Sequence, residues 1–172
     1  YEQVRKLAHE KKPRMIVAGA SSYPRLIDYE EINAIAEEVD AYCLADMAHL
    51  AGLVAGGVLP SPVACCDFVT FTTYKTMMGG RGGVILAKQN FGRRLDTAVF
   101  PGCQGTSAVN LIAAKGLIFK LAGEPWFAGI QKKTVENART LARNLERCGC
   151  RLVSGGTDNH QVLVDLTSRG VS

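Results

Sequence analysis

A chain of 172 residues with 47% hydrophobic and 21% charged side chains carries enough apolar mass for a folded domain, which excludes a disordered tail. Its apolar runs are broken by Gly, Pro or charge well short of the roughly 18 residues that a membrane span needs, and no charged-then-apolar leader opens it, so the expectation is a cytoplasmic protein with no membrane partner. The net charge of +4 is modest, and the basic residues are scattered through KLAHEKKPR, FGRRL, IQKKTVENARTLARNLER and LTSRG, which is the pattern of solvated helix faces and not of a nucleic-acid stripe.

In chain order, YEQVRKLAHEKK reads as a helix already under way at the first residue, and MIVAGA, 15–20, as a strand. Asp28 is placed to cap the helix YEEINAIAEEV, with Glu31 three residues on in capping-box spacing. AYCLAD, 41–46, is the next strand and ends on an acid. Pro60 and Pro62 mark a loop before two further strands, DFVTFTT at 67–73 and GVILAK at 83–88. Strands alternating with helix-period segments predict βα units and a mostly parallel sheet.

The second half changes character. SAVNLIAAKGLIFKLAG, 107–123, and the segment from Glu124 to Gly149 predict two long helices, the second with Pro125 in its first turn and Gly149 at its stop. RLVSGG and HQVLVDL then return to strands. The expected division is a large domain with its linking helices over 1–145 and the start of a smaller α/β domain over 146–172. With no initiating Met, and an end at TSRGVS directly after a strand, the sequence is expected to be a piece of a longer chain. Cys43, Cys65, Cys66, Cys103, Cys148 and Cys150 have no metal-ligand rhythm; reduced thiols and no metal are expected.

The stretch TFTTYKTMMGGRGG, 70–83, holds a single lysine between a strand and a glycine-rich turn. A lysine on a turn is most often an ordinary surface residue, but burial at a strand end disfavours the ammonium and leaves a nucleophile. Open α/β sheets place functional groups at the carboxyl ends of their strands, where Ser21, Asp46 and Lys75 all fall. A carboxylate closing an apolar strand calls for a cation or donor, and the neighbouring DMAHLAGLVAGG offers only His49. Pyridoxal phosphate asks for such a set: a lysine to bind its aldehyde, an acid to keep its pyridine nitrogen protonated, and a holder for ring and phosphate. His49 lies three residues after Asp46, where it could face the ring or move protons, whereas His9 and His160 are assigned to structure.

The blocks LADMAHLAGLVAGGVLPSP, TFTTYKTMMGGRGGVILAK and AVFPGCQG closely resemble the serine hydroxymethyltransferase family, and the similarity runs from AGASSYPRLIDY through SGGTDNHQVLVDL. The resemblance implies a three-layer α/β/α fold of the aspartate aminotransferase type, which is pyridoxal-phosphate fold type I. It implies Lys75 as the lysine that binds the cofactor, Asp46 as partner of the pyridine nitrogen, and His49 as the residue against the ring. Ser21 then matches a serine near the phenolic oxygen, Thr72 and Thr73 line the site, and Arg81 is the arginine of the following turn. Gly105 matches a glycine whose backbone meets the phosphate of the neighbouring subunit, so that a homodimer or homotetramer shares its active sites. The activity implied is reversible transfer of a one-carbon unit between serine and glycine with tetrahydrofolate as carrier. The rest of the phosphate cradle is expected upstream of Tyr1, and an arginine for the substrate carboxylate beyond Ser172.

The sequence departs from the family pattern at Tyr74, where histidine is usual, at GGRGG in place of GPRGG, at Thr106 in place of a second glycine, and at SAVN in place of PLMH. Two alternatives accordingly stand beside the transferase: a related aldolase, transaldolase or α-methylserine hydroxymethyltransferase, and a non-catalytic binding protein on the same fold.

Overall fold

The computed structural model of the chain describes residues 1–171. Helix α1 spans Glu2–Lys11, followed by strand β1, Met15–Gly19, helix α2, Tyr29–Glu38, and strand β2, Tyr42–Asp46. A five-residue helix α3, Ala51–Ala55, precedes β3, Phe68–Thr72, and β4, Gly83–Ala87. Helix α4, Gly92–Thr97, leads through a wide turn into the long helices α5, Val109–Ala122, and α6, Pro125–Arg147. Two short strands, β5, Arg151–Leu152, and β6, Val164–Asp165, close the order.

The four longer strands form one sheet in the order β1-β2-β3-β4, with β1, β2 and β3 parallel and β4 antiparallel to β3. The α/β class and the mostly parallel sheet are therefore as expected. The reversal at β4 follows from the short connection after β3: a ten-residue turn can return the chain antiparallel, whereas a parallel return needs a crossover helix. Asp28 caps α2 as the sequence predicts, its side chain accepting the Glu31 amide at 3.0 Å.

One face of the sheet holds the core. Ala18, Cys43, Ala45 and Val69 project from successive strands against Tyr29, Ile32 and Ala36 of α2 and against Phe127 of α6. Small residues on the strands let the helices approach closely, and the large side chains come from the helices. Phe127 is fully buried, a position where truncation to Ala costs about 3–5 kcal/mol. All six cysteines are free thiols, and the Cys43 and Cys66 sulfurs pack 3.2 Å apart beneath α2. The alternate residues Met15, Val17, Tyr42 and Ile85 are exposed on the opposite face, where Phe91 stacks edge-on to Tyr42 and tilted on Phe68. Among the described residues the helical layer thus lies on one side of the sheet, and the second layer of a three-layer arrangement is not built by them.

Beyond α6 the chain differs from the sequence pattern. HQVLVDL forms a strand only at Val164 and Asp165, and RLVSGG only at Arg151 and Leu152. The intervening residues are instead latched onto the loop after β1. Arg25 donates to the carbonyls of Ser154 and Gly155 and pairs with Asp158. Fully buried Asn159 donates to the Tyr23 carbonyl, and Thr157 to that of Pro24. Buried polar side chains demand partners, and satisfying them here outweighs extending a two-strand ladder.

Candidate active site

The parallel register aligns Gly19, Asp46 and Thr70 across the sheet, so the loops that follow β1, β2 and β3 emerge together at its carboxyl edge. After β3, buried Thr73 directs its hydroxyl to the carbonyls of Gly80, at 2.6 Å, and Gly82, at 3.3 Å, while its amide donates to Gly82 and its carbonyl accepts from Gly79. The turn is closed on itself by these bonds, and Lys75 is carried half-buried on its inner side. Met78 closes the first part by donating to the Lys75 carbonyl, in a left-handed conformation at φ 64°.

Lys75 Nζ lies 2.9 Å from His49 Nε2. His49 comes from the loop after β2, which is stitched to β3 by the Met47 amide on the Thr70 carbonyl and by the Thr72 hydroxyl on the Ala48 carbonyl. Burial, followed by the positive charge of Lys75, holds the His49 imidazole below its ordinary range, against an opposing pull from Asp46. The Asp46 carboxylate is exposed at the edge; one oxygen accepts the Ala48 amide at 2.9 Å, and neither oxygen has a cationic partner among the described residues. The acid that the sequence leaves without a cation is thus still without one among the described residues.

Ser21 is exposed in the loop after β1, and its carbonyl accepts from Gln161. Tyr74 is also exposed, its ring facing two cations, Arg81 with Cζ 4.9 Å from the ring centroid and Lys75 Nζ at 5.8 Å. Gly105 sits in the exposed stretch 101–110 and makes no hydrogen bond to any of these residues among those described. The structure therefore gathers Lys75, His49, Asp46, Thr72 and the Ser21 loop. It places Tyr74 and Arg81 beside them, turns the Thr73 hydroxyl to the glycine turn, and leaves Gly105 apart.

Two further residues join the cluster without having been singled out from the sequence. Gln161 bridges Ser21 and His49, and His160, which the sequence assigns to structure, stacks on His49 with centroids 6.4 Å apart and planes at 13°. Burial and the neighbouring His49 hold His160 below the ordinary histidine range. A polar TDN ahead of HQ reads only as a loop; no spacing signal ties it to Ser21, about 140 residues away.

A mostly parallel sheet with a lysine amine, a half-free carboxylate and a histidine converging at its carboxyl edge defines an α/β domain with its reactive side chains gathered at that edge. The whole chain, residues 1–172, matches the family described as Serine hydroxymethyltransferase. It is 52% identical over 172 residues to the serine hydroxymethyltransferases of Dehalococcoides mccartyi strains BAV1 and CBDB1, covering 100% of this chain and 41% of each relative. The chain belongs to the serine hydroxymethyltransferase family, and it spans about two fifths of the length of the curated relatives it matches.

Proposed function

We propose that the intact protein is a pyridoxal-phosphate-dependent glycine hydroxymethyltransferase, transferring the hydroxymethyl group of serine reversibly to tetrahydrofolate to give glycine and 5,10-methylenetetrahydrofolate. The observation that carries this reading is the Lys75 amine held 2.9 Å from His49 at the same sheet edge as Asp46, within a chain 52% identical to proteins of that name. A non-catalytic binding protein does not account for the retention of both Lys75 and Asp46; the aldolase-type relatives would use the same pair, and against them the folate-dependent reading is supported by the 52% identity to serine hydroxymethyltransferases.

The donor set fits the coenzyme: an amine that can condense with an aldehyde, and a carboxylate with an uncommitted oxygen that can hold a proton on a pyridine nitrogen. Pyridoxal phosphate bound there supplies an electron sink for the pair left on the substrate Cα when its bond to the hydroxymethyl carbon breaks. Lys75 would hold the coenzyme through its amine, condensing with the aldehyde. Asp46 would hold a proton on the ring nitrogen, His49 would support the ring or move protons, and Ser21 is assigned to the side of its phenolic oxygen. Thr72 lines the site while Thr73 holds the turn that carries Lys75. Tyr74 and Arg81 form the outer wall.

Gly105 is assigned to the phosphate of a neighbouring subunit in a homodimer or homotetramer. Helix α5 supports such an assembly, because it exposes Val109, Ile112 and Leu117 at 72%, 52% and 59%. Residues 146–172 are read as the start of a smaller second domain, and the protein as cytoplasmic; among the described residues no helix is long and apolar enough to cross a membrane.

The intact protein should take up pyridoxal phosphate with a visible absorbance band that borohydride abolishes, and Lys75→Ala should not. Serine turnover should require tetrahydrofolate. Full-rate turnover without folate, or an unchanged spectrum in Lys75→Ala, would remove the reading.

A further inference from the structure

We propose that Gln161 is a positioning residue that fixes the tautomer of His49, so that the imidazole presents an N–H and not a lone pair to the Lys75 amine. The inference rests on the reading of Lys75 as the lysine that must attack the coenzyme aldehyde.

The orientation of the Gln161 amide is set by its surroundings. Its Nε2 lies 2.6 Å from the Ser21 carbonyl oxygen, which can only accept, so the NH2 end must be there. That same nitrogen is 3.3 Å from His49 Nδ1. An amide nitrogen only donates, so Nδ1 must be the acceptor, and a neutral imidazole then carries its proton on Nε2. Burial above all lowers the protonation of His49 from the ordinary histidine range, which favours the neutral imidazole.

The Nε2–H points at Lys75 Nζ, 2.9 Å away. An ammonium offers three donors and no acceptor; only the unprotonated amine has the lone pair to receive that hydrogen. The Nε2–H is therefore complementary to the neutral amine, the form that attacks a carbonyl carbon. The remaining groups around it are the Tyr74 ring, with Arg81 beyond it, Asp46 near His49, and His160 stacked on the imidazole. None of them donates to His49 Nδ1, so among the described residues Gln161 alone selects the tautomer. Gln161 is itself anchored, its backbone N–H donating to Asn159 Oδ1 at 2.8 Å, and Asn159 is locked to the Tyr23 carbonyl.

The test uses the intact protein stripped of cofactor, with 15N-labelled histidine, and the variants Gln161→Leu and Gln161→Glu. NMR should show His49 protonated on Nε2 in the unsubstituted protein. It should show Nδ1 protonated in Gln161→Glu, whose carboxylate can only accept. Trace acetylation of Lys75 by acetic anhydride at neutral pH, read by mass spectrometry, should give about tenfold less label in Gln161→Glu, whose tautomer turns a lone pair to the amine. Gln161→Leu should lower the labelling by less, with no new charge. Nδ1-protonated His49 in the unsubstituted protein would overturn the proposal even if neither variant folds, as would labelling profiles that coincide in all three proteins. Failure of pyridoxal phosphate to attach would instead count against the proposed function, since neither readout requires the coenzyme.

Discussion

The Thr76 hydroxyl donates to the His49 carbonyl and accepts from the Gly52 amide, both at 2.9 Å. One side chain thus ties the turn that bears Lys75 to the loop that bears His49 and to the start of α3. Buried Gln131 of α6 completes the clip by donating to the Thr76 carbonyl. The distance between the amine and the imidazole is set by this clip and not by the two side chains alone.

Gly52→Ala tests how tightly the clip is packed. A Cβ there would stand 2.0 Å from the Thr76 carbonyl oxygen and 2.3 Å from its carbon, both backbone atoms that cannot rotate away. Overpacking of this kind costs about 1–3 kcal/mol, read by denaturant unfolding of the intact protein. Pyridoxal phosphate uptake should fall with it, because the turn carrying Lys75 must shift. Wild-type stability and uptake together would show that α3 moves freely against the turn.

Thr76→Val keeps the shape and removes the hydroxyl. The Gly52 amide loses its partner, and leaving a buried donor unpaired costs about 1–3 kcal/mol. Thr76→Ser, which retains the hydroxyl, should recover most of the loss. A serine variant as weak as the valine would assign the effect to the methyl group.

The latch between the C-terminal segment and the loop after β1 centres on Asn159. Asn159→Ala strands the Tyr23 carbonyl and the Gln161 amide, a loss of about 1–3 kcal/mol for each group left unsatisfied in the interior. Hydrogen exchange at the Gln161 amide should accelerate while the β2 amides stay protected. Equal protection in variant and parent at Gln161 would deny the latch its role.

Tyr29 gives a pH signature at the alkaline end. Its hydroxyl is buried with no hydrogen-bond partner among the described residues, and burial above all pushes its ionisation up to about 12. A phenol whose folded value is raised leaves stability intact below its ordinary value near 10, then loses it as pH climbs towards 12. Tyr29→Phe should flatten the fall in melting temperature over that window. At neutral pH it should cost under about 1 kcal/mol, since no bond is lost. A steep alkaline fall in the phenylalanine variant would place its origin elsewhere.

The two stacked histidines act at the acid end. His160 and His49 are both held below the ordinary histidine range, chiefly by burial, and His160 Nδ1 has no partner among the described residues. Groups with a lowered folded value contribute stability that is present above about pH 6.5 and is lost as pH falls through that lowered value. Melting temperature should therefore decline on acidification, and less steeply in His160→Phe. Parallel curves for the two proteins would exclude His160 as a source.

Much of this was legible beforehand. The cap at Asp28, the strands that end near Asp46 and before Lys75, and the helices after 107 all follow from periodicity and punctuation that act within a dozen residues. Asp46 and Lys75 could be picked out because polar groups closing apolar strands need a reason to be there. The five-residue α3 is too short to show a period, and the last two strands are short because the TDN segment satisfies its polar groups on a distant loop.

By itself the sequence determined the alternation of strands and helices, the edge at which functional groups gather, and the family to which the chain belongs. Only the tertiary structure decided that His49 meets Lys75, that Thr73 serves the glycine turn, and that Gln161 reaches both Ser21 and His49. Periodicity records which side of an element is apolar and so travels with the chain. A hydrogen bond between residues 112 positions apart depends on how loops are brought together, and no local pattern encodes that distance.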